Sequence, residues 1–281
     1  MKEELRGLVN KIIPMSVVDG EGNRMAIFFQ GCNFNCKYCH NPETINLCNH
    51  CGHCVAGCPS GALSVEGGKV RWDWQKCIHC DRCIEVCPHN SSPKVRHYTA
   101  KELGEEMERA MPFIQGITTS GGECTLQWEF LVELYEEAHR RGLTAFTDTN
   151  GSLDLSQERY RPLVSASDGF LLDVKAWDIE EHRALTGRDN TVVLKNLSHL
   201  SHLGKIKEIR VVLLEGMDHG AILRGIGENA TGLEKIDLKL ISYRPFGVRK
   251  EYQYLRTITP DEKAQLVERA RNMGFHRVIP V

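Results

Sequence analysis

No apolar run in this chain approaches the ~18 residues that cross a bilayer, so no membrane-spanning helix is expected. The opening stretch, MKEELRGLVNKIIPMSVVDG, lacks the long apolar segment and small-residue cleavage site of a secretory signal, and the expectation is a cytoplasmic protein. Basic charge is not in excess either. Lys and Arg number 35 against 37 Asp and Glu, which leaves no electrostatic footprint for nucleic acid. With 41% hydrophobic and 26% charged residues over 281 positions, the composition is that of a soluble globular protein of one large or two smaller domains.

Cysteine is abundant instead. There are 12, and all but Cys124 fall between Cys32 and Cys87. A small secreted domain with that density would be stapled by disulfides, but nothing here marks export, and the C-x2-C spacings favour metal or iron–sulfur ligation. Residues 48–59 read CNHCGHCVAGCP and residues 77–88 read CIHCDRCIEVCP. Both are C-x2-C-x2-C-x3-C-P, the run of bacterial two-cluster ferredoxins, in which the fourth cysteine serves the other cluster. Cys48, Cys51, Cys54 and Cys87 are thus expected to hold one 4Fe–4S cluster, and Cys58, Cys77, Cys80 and Cys83 a second. Between the runs, LSVEGGKVRW has a Gly-Gly turn and reads as a hairpin. Structural zinc, with His50, His53 and His79 as further ligands, is the other reading; duplication of the whole pattern with both prolines favours iron–sulfur.

Around this stretch strands and helices alternate. Met25–Gln30, 116–119, 143–147, 169–174, 208–214, 236–241 and 276–281 read as strands. Thr99 and Glu102 form a capping box that opens a helix to about Met111, and helices are expected over 126–141, 190–203 and 261–272. About six such units imply an α/β fold, a parallel sheet buried on both faces and curled into a partial (β/α)6 TIM-like barrel. Its first part would be 1–46, a ferredoxin-like insert 47–90, and the remainder 91–281. Sites then belong on the loops after the strand ends, where Glu123, Asp148, Asp173 and Lys175 stand.

The first of those loops, GCNFNCKYCHNP, sets Cys32, Cys36 and Cys39 in a C-x3-C-x2-C array with no fourth cysteine at close spacing. Three thiolates on a four-iron cubane leave one iron open, as catalytic zinc sites keep a position free. The array, with Tyr38 before its last cysteine, resembles the hallmark of the radical S-adenosylmethionine superfamily. VDGEGNRMAIFFQGCNFNCKYCHNP, SGGE at 120–123, DTNG at 148–151, DVK at 173–175 and Arg210 resemble, in the same order, the glycyl-radical-enzyme activases that include pyruvate formate-lyase activating enzyme. The SGGECTLQ and YRPFG segments are most similar to the YjjW type, and the likeness spans nearly the whole chain.

The resemblance implies that Cys32, Cys36 and Cys39 hold the radical cluster and that its open iron takes the methionine end of S-adenosylmethionine. Tyr38 and His40 would lie along the adenosine, Gly121, Gly122 and Glu123 would receive the methionine ammonium, and Asp173, Val174, Lys175 and Arg210 would line the rest. Asp148, Thr149 and Asp173 match positions that hold a monovalent cation in a relative, and Asp19 would face the substrate backbone. Where the activases commonly have Pro-Tyr-His, this chain reads Ser242-Tyr243-Arg244, which makes Arg244 the candidate in the histidine's place. Cys124 is read as a packing residue.

The implied activity is reductive cleavage of S-adenosylmethionine to a 5′-deoxyadenosyl radical that takes a hydrogen from a glycine of a partner enzyme. It would use three 4Fe–4S clusters and a low-potential donor such as flavodoxin or ferredoxin, without nucleic acid or membrane. Two other classes fit parts of the pattern: a radical enzyme acting on a small molecule or peptide, and a non-catalytic electron carrier. For the carrier, the large αβ body would be superfluous.

Overall fold

The computed structural model describes residues 4–281; the first three residues of the 1–46 segment lie outside the described residues. Two antiparallel strands, β1 (Gly7–Ser16) and β2 (Arg24–Phe29), open the fold. Their ladder is irregular between Ile13 and Ser16, where Pro14 has no N–H to donate. The 47–90 segment contributes the hairpin β3 (Leu63–Glu66) and β4 (Lys69–Trp72), then one turn of helix, α1 (Arg82–Glu85). Gly67 and Gly68 take φ of 56° and 73° at the hairpin tip, the left-handed pair that a two-residue turn requires.

After β5 (Arg96–Tyr98) and α2 (Ala100–Ala110) comes the regular alternation: β6 (Gly116–Gly121), α3 (Trp128–Arg140), β7 (Thr144–Thr149), α4 (Arg161–Ala166), β8 (Gly169–Asp173), α5 (Ile179–Thr186), α6 (Thr191–His202), β9 (Ile206–Leu213), α7 (His219–Asn229), β10 (Asp237–Ser242), α8 (Pro260–Arg271) and β11 (Arg277–Pro280). The Thr99/Glu102 capping box of α2 is formed in both directions.

One sheet holds nine strands in the order β11-β10-β9-β8-β7-β6-β2-β1-β5, with β2 and β6 to β11 mutually parallel. The parallel strands follow chain order with no reversal. Right-handed crossovers therefore lay their helices against one face of the sheet. That face is apolar: Ile117, Ala145, Phe170, Leu172, Ile209, Val211, Leu238 and Leu240 all belong to the main core. The opposite face is largely polar and ionic, carrying Thr118, Ser120, Asp148, Asp173, Glu208, Arg210 and Lys239. Its side chains bond to one another and to the β1–β2 turn. The expectation of apolar packing on both faces thus holds for one face only.

The main core contains no residue of the 47–90 segment, which has a small core of its own in Cys54, Leu63 and Val70. The base of that segment is closed by a parallel bridge between Asn46 and Ser91, with Asn46 N–H on Asn90 O at 3.2 Å. Among the described residues no helix is long and apolar enough to cross a membrane.

Candidate active site and metal centres

The three-thiol loop leaves the C-terminal end of β2 and is held from three sides. Gly31 and Cys32 donate backbone N–H groups to Thr44 O (2.8 Å) and Ile45 O (2.9 Å). The last carbonyls of α5, otherwise without partners, accept from the loop: Asn35 N–H meets Thr186 O at 2.8 Å and Lys37 N–H meets Leu185 O at 2.9 Å. Arg249 adds a guanidinium contact to Cys36 O at 2.9 Å.

Cys36 is buried, while Cys32 and Cys39 are half-buried. Burial pushes all three thiols upward, Cys32 to about 12 and Cys39 to about 11. Lys175 opposes that shift at Cys36 and Cys39. Its ammonium pairs with Asp173 at 2.7 Å and sits 5.5 Å from the centre of the Tyr38 ring. Although burial works against the ammonium, Asp173 and the neighbouring Tyr38 and Cys36 hold it well above its ordinary value.

The glycine loop after β6 lies against the thiol loop. Gly122 N–H bonds Phe29 O at 2.9 Å, and Glu123 N–H bonds Gly31 O at 2.8 Å. A Cβ on Gly122 would meet Gly31 O at 2.2 Å, and one on Gly121 (φ +111°) would meet Phe29 N at 2.2 Å. Only glycine lets these backbones approach so closely.

Glu123 is 1% exposed, and both of its carboxylate oxygens are engaged within the protein. Oε1 accepts from Thr125 N–H, Thr125 Oγ1 and Thr149 Oγ1, and Oε2 from Asn150 N–H at 2.7 Å. An incoming ammonium would have to displace one of these donors. The Asn150 carboxamide so positioned reaches Asn33 Oδ1 at 3.2 Å and lies 3.8 Å from Cys32 Sγ. Sequence reasoning missed this buttress, because nothing in SGGE or DTNG says which way a carboxylate turns.

Across the ionic face, Asp148 accepts from Ser120 Oγ at 2.7 Å and Arg210 Nη1 at 2.8 Å, and Glu208 joins Arg210 to Lys239. Burial pushes the Asp148 carboxyl upward against the pull of Arg210. The three residues expected at a monovalent cation are thus all engaged, Asp148 by Arg210, Thr149 by Glu123 and Asp173 by Lys175. Asp19, on the β1–β2 turn, accepts from Ser16 Oγ and receives Thr118 Oγ1 on its carbonyl at 2.6 Å. Beside it, Val17, Val18, Arg210, Lys239 and Ile279 line an open cleft of about 410 Å³. A larger cavity of about 490 Å³ lies elsewhere, between β1, β5 and the insert, and none of the expected cofactor contacts lines it.

His40 donates from Nε2 to Arg244 O at 2.8 Å and stacks on Tyr243. The contact uses the Arg244 backbone, and its side chain is exposed. Val174 and Cys124 are fully buried, with Cys124 Sγ directed at Thr119 O and Asp148 O rather than toward the other thiols.

In the insert, Cys48, Cys51, Cys54 and Cys87 line one small cavity, and Cys58, Cys77, Cys80 and Cys83 another. The backbone repeats with the sequence. His50, Gly52 and Gly61 have φ of 60°, 80° and 64°, and the equivalent His79, Asp81 and Asn90 have 53°, 59° and 46°. Left-handed residues thus flank the second cysteine of each run, and in the first run Cys51 N–H bonds Asn49 Oδ1 at 3.2 Å. His50 is a structural residue, its Nδ1 accepting from Val70 N–H at 3.2 Å. Among the described residues no three His, Cys, Asp or Glu side chains close to the spacing of one metal ion. At the three-thiol loop Tyr38 Oη, and beside it Arg249 Nε, are buried without a partner, donors that a group with sulfur acceptors held there would satisfy.

Sequence and fold are similar to those of known proteins. The radical SAM superfamily model matches residues 26–224. A choline trimethylamine-lyase activating enzyme of Oleidesulfovibrio alaskensis is 34% identical, covering 89% of this chain and 87% of that protein. A trans-4-hydroxy-L-proline dehydratase activating enzyme of Clostridioides difficile is 30% identical, with 88% and 86% covered. In fold, the chain is similar to QueE from Escherichia coli, with a TM-score of 0.57 at 11% identity over 98% of this chain and 94% of that one. The chain belongs to the radical SAM superfamily and, within it, to the glycyl-radical-enzyme activating enzymes.

Proposed function

We propose that this chain installs a glycyl radical in a partner enzyme, using S-adenosylmethionine and a 4Fe–4S cluster on Cys32, Cys36 and Cys39. When bound, the cluster and S-adenosylmethionine supply the reductive cleavage whose radical removes a hydrogen from a glycine Cα. The observation that carries this reading is the three-thiol loop at the strand rim, from which Cys124 is turned away. A fourth protein thiolate would close the cluster; three leave a corner for the sulfonium compound.

The chain's own residues orient and insulate. Lys175, charged and beside Cys36, offsets thiolate charge. Tyr38 and His40 would border the adenosine, with Asp173, Val174, Arg210 and the Arg244 backbone that His40 bonds completing its surroundings. Gly121 and Gly122 offer backbone near the thiol loop, while Glu123 keeps that loop against Asn150. Asp19 and the open cleft beside it provide entry for an extended substrate segment. Glycine suits as target because its Cα is sterically open. Helices stacked on one face support curling of the parallel strands into a partial barrel. The 47–90 segment is proposed as a ferredoxin-like insert with two further 4Fe–4S clusters, relaying electrons from a low-potential donor such as flavodoxin or ferredoxin.

The test is anaerobic incubation with a candidate glycyl-radical enzyme, S-adenosylmethionine and reductant, followed by electron spin resonance. A glycine-centred doublet and stoichiometric 5′-deoxyadenosine are expected. Cleavage of the nucleoside with no doublet on any partner would transfer the activity to a small-molecule or peptide substrate.

A further inference from the structure

Buried polar atoms nearly always have partners, and those that do not call for a reason. Among the described residues, Tyr38 Oη, Trp72 Nε1, Ser91 Oγ, His182 Nε2 and Arg249 Nε have none. Two of these lie in or beside the insert, and they fall one to each thiol group. Trp72 lines the cavity of Cys58, Cys77, Cys80 and Cys83 as well as the adjoining larger cavity beside β1, and Ser91 lines that of Cys48, Cys51, Cys54 and Cys87. An indole N–H can only donate, and a hydroxyl can always donate. In each cavity the thiol sulfurs are the prominent acceptors, and of these Cys58 Sγ is already met by Ser60 Oγ at 3.8 Å.

We infer that Trp72 and Ser91 each donate a hydrogen bond to sulfur of the cluster held by the adjoining four thiols, and so set the reduction potentials of the two insert clusters independently. The inference rests on the proposed iron–sulfur content of the insert. A donor aimed at cluster sulfur stabilises the more negative, reduced state and raises the potential.

The two sites differ in their remaining charge. The Trp72 site is also lined by Asp81, Arg82 and Lys94, of which Lys94 and Asp81 pair with each other. The Ser91 site has no Asp, Glu, Lys or Arg in its lining. Its hydroxyl acts there beside the Asn49 carboxamide and the His53 imidazole, whereas Trp72 acts beside a net cation.

The experiment is a dithionite potentiometric titration of the anaerobically reconstituted full chain, read by low-temperature electron spin resonance. Trp72→Phe should move one insert midpoint downward by on the order of tenfold in its reduction equilibrium, ~59 mV for a one-electron couple. Ser91→Ala should move the other insert midpoint, and Ser91→Thr should restore it. In unsubstituted protein labelled with 15N-indole tryptophan, the reduced cluster should show a nitrogen coupling, a readout that needs no variant. Midpoints that stay put at full iron content, two variants moving one and the same step, or no 15N coupling would overturn the inference alone. A wild-type chain that binds four irons rather than about twelve, at four per cubane, would overturn the cluster reading and this inference with it.

Discussion

At the scale of single residues, Glu123 shows how a motif carboxylate can serve the apoprotein first. It accepts from Thr125, Thr149 and Asn150 at full burial, so each donor would be left unmatched on its removal. Glu123→Gln keeps the shape but places an NH2 against N–H or O–H donors. We expect a loss of ~1–3 kcal/mol in stability without any cofactor present, and more for Glu123→Ala. Urea denaturation of the apoprotein measures it, and unchanged stability would return Glu123 to a purely ligand-facing role. The thiols supply a second test. Cys51 and Cys80 are exposed, whereas Cys36 and Cys124 are buried. Alkylation needs access and thiolate, and burial pushes Cys124 well above its ordinary value. Mass mapping of iodoacetamide-treated apoprotein should find Cys51 and Cys80 modified first, with Cys124 untouched until the chain unfolds.

At the scale of elements, α7 carries Gly225 in its interior, where intrinsic propensity favours alanine by ~1 kcal/mol. The reason lies in a neighbour: a Cβ there would sit 2.1 Å from Cε2 of Trp177. Gly225→Ala should therefore destabilise by ~1–3 kcal/mol through overpacking, and the sign should reverse in a Trp177→Leu background. Chemical denaturation of the two single variants and the double variant decides; stabilisation by Gly225→Ala alone would refute the packing account. Gly220, Gly225 and Gly227 together explain why α7 was not legible in the sequence, while β2 and β6 to β11 were. Those strands announce themselves by short apolar runs between turn residues, and α2 by its capping box. β1 was hidden by Pro14 and by polar interruptions, and α5 by its shortness, although α5 supplies the carbonyls that hold the thiol loop. Spacing revealed the cysteine groups because ligand geometry constrains local sequence. It could not reveal the Glu123 buttress or the Arg210 ion-pair chain, which join residues far apart in the chain.

At the scale of the whole molecule, stability is divided unequally. The main core runs from β1 through α8 without a contribution from 47–90, and that segment's own core cluster is Cys54, Leu63 and Val70, with Ala62 buried beside it in sequence. A core that small does not offset the conformational entropy of ordering some forty residues, and natural scaffolds of such size rely on staples such as metals. Two of its three core positions are aliphatic and the third is a proposed ligand, so the proposed clusters would act as that staple. Metal binding free energy would then be folding free energy for the 47–90 segment and for little else. The parallel Asn46–Ser91 bridge lets this happen locally, since both ends of the insert are tied together at its base. Hydrogen exchange should therefore show peptides from 48–88 exchanging rapidly in iron-free protein and slowly after anaerobic reconstitution. Peptides covering β6, β7, β8 and β9 should exchange slowly in both forms. Equal protection of the insert with and without iron would mean that its hairpin and loops hold themselves, and the stapling argument would be wrong. Loss of protection throughout the sheet on iron removal would mean that the thiol loop at Cys32 is a keystone of the main fold.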